Sequence, residues 1–289
     1  MYLQDFEYFR PGSVEEACQL LLKYGSKAKA IAGGTDVLIK MKKDLLAPEV
    51  LVAIGQLPQL KNIEYIPGRG VVIGAGANHN DIQNSKVLHE KYLSVAEAAH
   101  QMANNQVRNL GTVGGNISNA VPSADMPPIL IALDTTVKIV GTKGERTLLL
   151  EDVFTGPNQT VLEHDELITE FVIPDNGFTG STYFKFGLRA SGALAVVGVA
   201  AAVKMEGDVI KDARIVLGAV SPVPLRAKKA ESILKGKQAS EELFAEAGVM
   251  ASEECRPISD IRASAEYRAD MVRVYTRRTL HKAVDEGHV

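Results

Sequence analysis

The stretch Ala32-Gly33-Gly34-Thr35-Asp36 decides the fold, together with a second stretch, Thr112-Val113-Gly114-Gly115-Asn116. The first follows a short apolar run, and a helical pattern of apolar residues begins at Val37. We expect each glycine pair to lie where an extended segment turns, because glycine permits positive φ and lets a ligand approach bare backbone. Successive backbone amides then point into one small space and form a pocket for an anion. A diphosphate needs two such pockets, so the sequence predicts that the two pairs form one dinucleotide-phosphate cradle.

The commoner nucleotide-binding fingerprints do not fit this chain. Gly74-Ala75-Gly76 follows a predicted strand, but His79 stands where a Rossmann turn requires its third glycine. The sequence also lacks the Gly-Lys-Ser/Thr of a P-loop. A phosphate site in this chain therefore has to be built in another way.

The composition is typical of a globular protein. Of the 289 residues, 46% are hydrophobic and 23% are charged. A chain of this length is long enough for two domains, each with its own core. A net charge of −3 provides no basic field, so neither nucleic acid nor a membrane is expected as a partner. The two cysteines, Cys18 and Cys255, are too few for a disulfide framework, an iron–sulfur cluster or a cysteine zinc site. The first seven residues lack the basic and apolar regions of a signal peptide, which predicts a cytoplasmic location.

The order of predicted elements gives an α+β fold. Strands and helices alternate in a first unit, and a second unit ends at the turn Pro174-Asp175-Asn176-Gly177. Three predicted strands and then three helices follow this turn. The predicted domains are residues 1–176, with subdomains of about 1–58 and 59–176, and residues 177–289.

Within the second unit, the apolar pattern predicts helices over residues 80–85 and 94–103. Residues 106–110 are expected to form the extended lead-in to the second glycine pair. Asp125 precedes two prolines and an apolar run, which is typical of a helix N-cap.

With both glycine motifs, the Gln-Val-Arg-Asn lead-in of residues 106–109 and the tail at Ser123 and Asp125 in place, the chain resembles the FAD-binding (medium) subunit of molybdenum hydroxylases. Xanthine dehydrogenase is the member that it resembles most, and the likeness covers nearly the full length. The resemblance implies a FAD-binding fold of the vanillyl-alcohol-oxidase (PCMH) type with two α+β subdomains. A C-terminal α+β domain, a three-stranded sheet with helices, would follow.

The resemblance also implies which residues bind the cofactor. Residues 30–37 would wrap the diphosphate from one side and residues 112–116 from the other, while Asp125 would hold a polar group on the adenosine side. Met102 stands where animal xanthine dehydrogenases carry an aromatic residue. The implied FAD-binding residues are Ala30, Ile31, Ala32, Gly33, Gly34, Thr35, Asp36, Val37, Met102, Thr112, Val113, Gly114, Gly115, Asn116, Asp125, Ile168 and Lys185.

Several of these residues also have a purely structural interpretation. Asp36 could be a first-turn charge that a helix dipole favours, and Asp125 could only cap its helix. Lys185 lies in an alternating strand and could face solvent. His79 could line the flavin edge, but a surface loop is the favoured interpretation. Arg189 could gate a nicotinamide site or be a surface cation.

The sequence contains no nucleophile-base pair, carboxylate dyad or metal-ligand spacing, so no catalytic or metal-binding residue is assigned. The chemistry would then belong to the cofactor. By the resemblance, this oxidoreductase subunit is a flavoprotein that carries electrons within a molybdenum hydroxylase. Partner chains would hold molybdopterin and [2Fe-2S] clusters in a heterotrimer or a dimer of heterotrimers, with NAD⁺ or another molecule as electron acceptor.

Two other functions stay open from the sequence. One is a self-contained flavin reductase of the same wider fold, such as the reductase of enolpyruvyl-UDP-N-acetylglucosamine. The other is a non-catalytic assembly protein that keeps the fold without flavin.

Overall fold

A computed structural model of the chain describes residues 3–287. Sheets and helices are both present throughout this range, so the predicted α+β class is confirmed. Within residues 3–287, the helices are all too short or too polar to cross a membrane.

The first sheet is parallel and leads into the first glycine pair. Strands β1 (Glu7–Phe9) and β2 (Ala28–Ile31) both pair with β3 (Val50–Ala53), which lies between them. Helix α1 (Val14–Tyr24) connects β1 to β2, and its N-cap is Ser13, whose side chain accepts the N–H of Glu16. Every residue of β3 is buried, as expected for a central parallel strand covered on both faces.

Helix α2 (Val37–Lys42) follows the first glycine pair and packs back onto this sheet. Its buried Met41 lies in a small apolar cluster with Ile31 and Leu51. Because Ile31 is the last residue of β2, this cluster fixes the direction in which the chain leaves the sheet.

The second sheet is antiparallel, with the strand order β4-β5-β10-β6-β7, and its central strand β10 pairs with β5 and β6. A short hairpin, β8 with β9, pairs only within itself among residues 3–287. In chain order the strands are β4 (Ile63–Ile66), β5 (Gly70–Gly74), β6 (Thr136–Gly141), β7 (Gly144–Leu149), β8 (Phe154–Gly156), β9 (Gln159–Thr160) and β10 (Leu167–Ile173).

A series of short helices connects β5 to β6. They are α3 (His79–Gln83), α4 (Lys86–Lys91), α5 (Leu93–Gln101), α6 (Asn105–Leu110), α7 (Val113–Asn119) and α8 (Met126–Ala132).

Three of these helices differ from the sequence prediction, and one of them, α7, contains the second glycine pair, which was expected to lie at the turn of an extended segment. Residues 106–110 are helical rather than extended, because the Asn104 side chain caps α6 by accepting the N–H of Val107 at 3.0 Å. Helix α4 was not predicted, and Ser85 caps it in the same way. In both places a polar N-cap residue starts a helix too short to show a clear apolar period.

The third sheet is antiparallel and belongs to the C-terminal part of the chain. Its strand order is β11-β12-β13-β14, with β15 also paired to β13. These elements are β11 (Gly180–Gly187), β12 (Ala195–Glu206), β13 (Val209–Gly218), β14 (Leu225–Arg226), α9 (Lys228–Leu234), β15 (Lys237–Gln238), α10 (Glu241–Glu254) and α11 (Ala265–Gly287).

Strand β12 joins two hydrophobic cores, which explains its long apolar run. Ala200 and Ala202 pack into the core around α5 and α8, while Val199 and Ala201 pack into the core under α10 and α11. Alternate residues of a strand point to opposite faces, so a sheet covered on both faces needs apolar residues at every position. By this packing, one face of β11 contacts helices α5 and α8.

Candidate functional site

A large cavity lies where the ends of β2 and β5 meet the helices α2, α6 and α7. Its volume is about 1070 Å³. Small-molecule pockets usually measure about 300–1,000 Å³, so this cavity suits an extended ligand. We call it the main cavity, and we call residues 32–36 the first bend and residues 111–116 the second bend.

The first bend leaves its backbone donors free. Gly34 has φ +72°, the left-handed conformation that glycine adopts without strain. The backbone N–H groups of residues 33–36 have no acceptor among residues 3–287. Buried or half-buried N–H groups are normally paired, so donors left free beside a cavity indicate an anionic or hydrogen-bonding ligand.

The second bend uses its backbone donors within the fold. The N–H of Gly114 donates to the Ala75 carbonyl at 2.8 Å, and the N–H of Gly115 donates to Thr112 Oγ1 at 3.0 Å. The N–H of Asn116 donates to the Thr112 carbonyl at 2.9 Å. The prediction that both bends offer free amides is therefore right for the first bend and wrong for the second.

The glycines of the second bend are needed for packing. A Cβ on Gly114 would lie 2.7 Å from the Ala75 carbonyl oxygen, closer than real Cβ atoms approach. The second bend thus contributes the Asn116 side chain to the main cavity, and Ser118 and Asn119 line the cavity from the end of α7. The Oδ1 atom of Asn116 is buried and has no hydrogen-bond partner among the described residues.

The two bends are in direct contact. A Cβ on Gly33 would overlap the Leu110 carbonyl and come within 3.0 Å of the Gly111 Cα. Thr35 Oγ1 lies 3.5 Å from the position of a Cβ on Gly111. The predicted convergence of two stretches about eighty residues apart is confirmed, and Gly33 permits it because only hydrogen fits at that contact.

Asp125, Lys185 and Tyr183 form a buried polar group beside the cavity. Lys185 Nζ donates to Asp125 Oδ2 at 2.7 Å and to the Gln101 carbonyl at 3.1 Å. The Tyr183 hydroxyl donates to Asp125 Oδ1 at 2.8 Å. The exposed fractions of the Lys185 and Asp125 side chains are only 9% and 5%. The solvent-facing interpretation of Lys185 is therefore wrong.

The protonation of this group follows from its burial. Burial raises the pKa of Asp125, and the charge and hydrogen bond of Lys185 act against this rise. Burial, with the nearby Asp125 charge, also raises the pKa of Tyr183, so its phenol stays a donor. Asp125 does not cap helix α8 with its side chain. Its carboxylate instead links α8 to strand β11.

His79 lies in the wall of the main cavity rather than in a surface loop. It is 1% exposed at the start of α3, and its backbone N–H donates to the Gly111 carbonyl at 3.1 Å. Its Nδ1 atom is buried without a hydrogen-bond partner in the described part of the chain. Burial, and to a smaller extent the charge of Arg108, lowers the pKa of His79 to about 4. The imidazole is therefore neutral near pH 7.

Acidification is expected to destabilise the protein through His79. Unfolded His79 binds a proton below about pH 6.5 and the folded residue only below about pH 4, so the unfolding free energy falls as pH falls through this window. At 1.36 kcal/mol per pKa unit, the loss is about 3 kcal/mol. Urea unfolding at pH 7 and pH 4 should show this loss in the wild type and a smaller one in His79→Gln. Equal losses in both would contradict the assignment.

Most predicted cofactor residues lie at the main cavity. Ile31 and Val113 are instead core residues behind the bends, and Lys185 lines a neighbouring side cavity of about 390 Å³ together with Arg189. Arg189 donates to the Gly192 carbonyl of its own loop at 2.7 Å. The residues at the main cavity are Ala30, Ala32, Gly33, Gly34, Thr35, Asp36, Val37, Met102, Thr112, Gly114, Gly115, Asn116, Asp125 and Ile168.

Sequence reasoning missed other residues of the cavity wall. Lys29 lies three residues before the first bend and Lys40 four residues after it. Their closeness to the bend in sequence was the available signal. The segment around β8 and β9 gave no signal, since only folding brings it to the cavity. It contributes Thr155, Asn158, Gln159, Thr160, Glu163 and His164. Within residues 3–287, no three acidic, histidine or cysteine side chains group as metal ligands.

The chain matches two known protein families. A family described as "FAD binding domain in molybdopterin dehydrogenase" matches residues 4–176. A second family, "CO dehydrogenase flavoprotein C-terminal domain", matches residues 182–283. Together the two matches span almost the whole chain.

Individual relatives agree over the full length. The chain is 36% identical over 279 residues to the carbon monoxide dehydrogenase medium chain of Hydrogenophaga pseudoflava, covering 96% of each chain. It is 27% identical over 279 residues to the xanthine dehydrogenase FAD-binding subunit of Escherichia coli O157:H7, covering 96% of this chain and 95% of that one. The solved structure of the Hydrogenophaga pseudoflava carbon monoxide dehydrogenase lacking the Mo-pyranopterin moiety superposes with a TM-score of 0.95 at 35% identity, covering 99% of each chain.

Proposed function

Because this chain belongs to the family of FAD-binding domains in molybdopterin dehydrogenases, we propose that it carries FAD as the electron-transfer subunit of a molybdenum hydroxylase complex. The resemblance to such subunits is confirmed by these matches. The observation that supports the proposal most is the contact of the two glycine bends at one cavity of about 1070 Å³.

The residues at the cavity fit a dinucleotide. The free N–H groups of residues 33–36 suit the oxygens of a diphosphate, and Asn116 offers a buried amide oxygen without a partner. In our proposal the remaining predicted residues of both bends, with Met102, Asp125 and Ile168, form the rest of the FAD site. Lys185 would act from the side cavity while it holds Asp125 in place.

Flavin suits a junction between electron carriers because it accepts electrons singly and releases them as a pair. The chain's own groups bind and orient. Its free amides would hold the anionic part, and the hydrogen bonds from the Tyr183 hydroxyl and Lys185 Nζ keep the Asp125 carboxylate in position. Such a role needs no nucleophile or proton donor in this chain, in agreement with the sequence.

The partners are also part of the proposal. The relative from Hydrogenophaga pseudoflava is named a medium chain, which supports a complex with a large and a small chain. We infer that the large chain holds molybdopterin and the small one [2Fe-2S] clusters, in a heterotrimer or a dimer of heterotrimers. The acceptor would be NAD⁺ or another molecule, and the complex cytoplasmic. We propose that the chain divides into a FAD-binding domain of residues 1–176 and a C-terminal domain of residues 177–289.

The organic substrate would bind to the molybdopterin chain rather than to this one. The relatives support this view, since chains of similar sequence are named for carbon monoxide dehydrogenase in one case and for xanthine dehydrogenase in another.

Flavin binding by the purified full-length chain tests the proposal. We expect about one FAD per chain, seen as flavin absorbance that passes through gel filtration with the protein and is identified after release. Tagged chain from its native host should also co-purify with a molybdopterin chain and a cysteine-rich small chain. A chain that binds no FAD when isolated or in its complex would contradict the proposal. Turnover of an organic substrate with NADPH by this chain alone would favour a self-contained reductase.

A further inference from the structure

Two lysines line the main cavity, and neither has an acidic partner among residues 3–287. Lys40 and Lys29 both line the cavity, and neither forms an ion pair within 4.0 Å in the described part of the chain. Burial, and then the charge of Lys40, lowers the pKa of Lys29. Two like charges on one wall repel each other, so an anion between them would stabilise both.

Lys40 is held in a defined position. Its Nζ donates to Asn119 Oδ1 at 2.6 Å, which joins helix α2 to helix α7. The ammonium group therefore lies between helices α2 and α7, where Lys40 lines the main cavity. One of its three protons is used by Asn119, and the other two are available to a ligand.

The acidic groups on the same wall do not neutralise this pair. Glu166 is occupied by Arg146, whose guanidinium donates to both of its oxygens at 2.7 and 3.0 Å. Asp36 and Glu163 line the cavity as well, but neither lies within ion-pair distance of Lys29 or Lys40. The free amides of residues 33–36 add further donors beside the lysines. Donors and cations together suit an anion with several oxygens and about two negative charges.

We propose that Lys40, positioned by Asn119, and Lys29 neutralise the diphosphate of the bound dinucleotide. This inference rests on the proposed function. It adds that the affinity for the dinucleotide depends on ionic contacts from Lys40 in helix α2 and Lys29 in strand β2. These contacts act in addition to the backbone donors of the first bend. The site would then distinguish FAD from flavin without a diphosphate by charge.

Replacement of Lys40 by methionine tests this role. A hydrogen bond to a charged group contributes about 1.5–3 kcal/mol, so Lys40→Met should weaken FAD binding about tenfold to a hundredfold. Calorimetric titration of the flavin-free chain with FAD and with ADP, which shares the diphosphate, should show similar losses. The salt dependence of both affinities should become shallower, because one ionic contact is lost. Lys40→Arg should keep most of the affinity.

Lys42→Met is the matched control. Lys42 lies on the same helix and is exposed, but it does not line the main cavity. We expect its FAD affinity to stay within about twofold of the wild type, as for a distant exposed charge. If the wild type bound FAD and the two variants lost equal affinity for it, the role proposed for Lys40 would be overturned, while the proposed function would stand. If the wild type bound ADP but no FAD, the proposed function would fall while the diphosphate site could still be judged from ADP.

Discussion

Replacing Gly33 by alanine is expected to abolish flavin retention and to lower the unfolding free energy by at least about 3 kcal/mol. Overpacking usually costs about 1–3 kcal/mol, and more where nothing can move aside. Here the new Cβ would overlap the Leu110 carbonyl, which is backbone and cannot rotate away. The first bend would have to separate from the second, which opens the cavity wall.

Gly33→Ala can be compared directly with Gly12→Ala. A Cβ on Gly12 would meet only a Glu16 carboxylate oxygen at 3.6 Å, an ordinary contact. We expect the Gly33 variant to melt roughly 6–12 °C below the Gly12 variant and to elute without flavin absorbance. Normal stability together with normal flavin content in Gly33→Ala would show that the two bends do not depend on this contact.

Replacing Lys185 by methionine is expected to lower the unfolding free energy by about 3–5 kcal/mol. Removal of one partner of a buried ion pair leaves the other charge without compensation, and this is the main cost. The Asp125 carboxylate would keep only the Tyr183 hydroxyl, and strand β11 would lose its link to helix α8. Urea unfolding at pH 7 measures the change.

Two further variants separate this effect from a general loss of charge. Lys27→Met removes an ion pair with Glu49 whose side chains are 61% and 65% exposed, and such a pair contributes at most about 1 kcal/mol. Adding Asp125→Asn to Lys185→Met removes the unpaired charge and should restore part of the lost stability. If the double variant were as unstable as the sum of the two single variants, the ion pair would not be coupled.

Much of the fold could be read from local patterns. The order of predicted strands and helices indicated the α+β class, and the first glycine stretch marked a bend with Gly34 at positive φ, because turns depend on residues within one turn of each other. Helix α6 was missed although Asn104 carried the capping signal, since six residues are too few for an apolar period to appear.

The site was predictable where it is built from backbone and was hidden where it is built from distant side chains. The motif residues did converge at one cavity. His79 was judged a loop residue, but folding buries it at the start of α3, where its backbone N–H donates to the Gly111 carbonyl. From the residues alone Lys185 was taken as a solvent-facing strand residue, since an alternating strand does not reveal which face is covered, and only the family resemblance indicated a flavin contact.

The sequence by itself determined the α+β class, the family, and the positions of the two glycine stretches. Only the tertiary structure decided which bend keeps its amides free and which side chains pair between separate elements, such as Lys185 with Asp125 and Lys40 with Asn119. The physical reason is range. A backbone conformation follows from a few neighbouring residues, whereas a buried polar contact exists only after separate sheets and helices have packed and removed water from it.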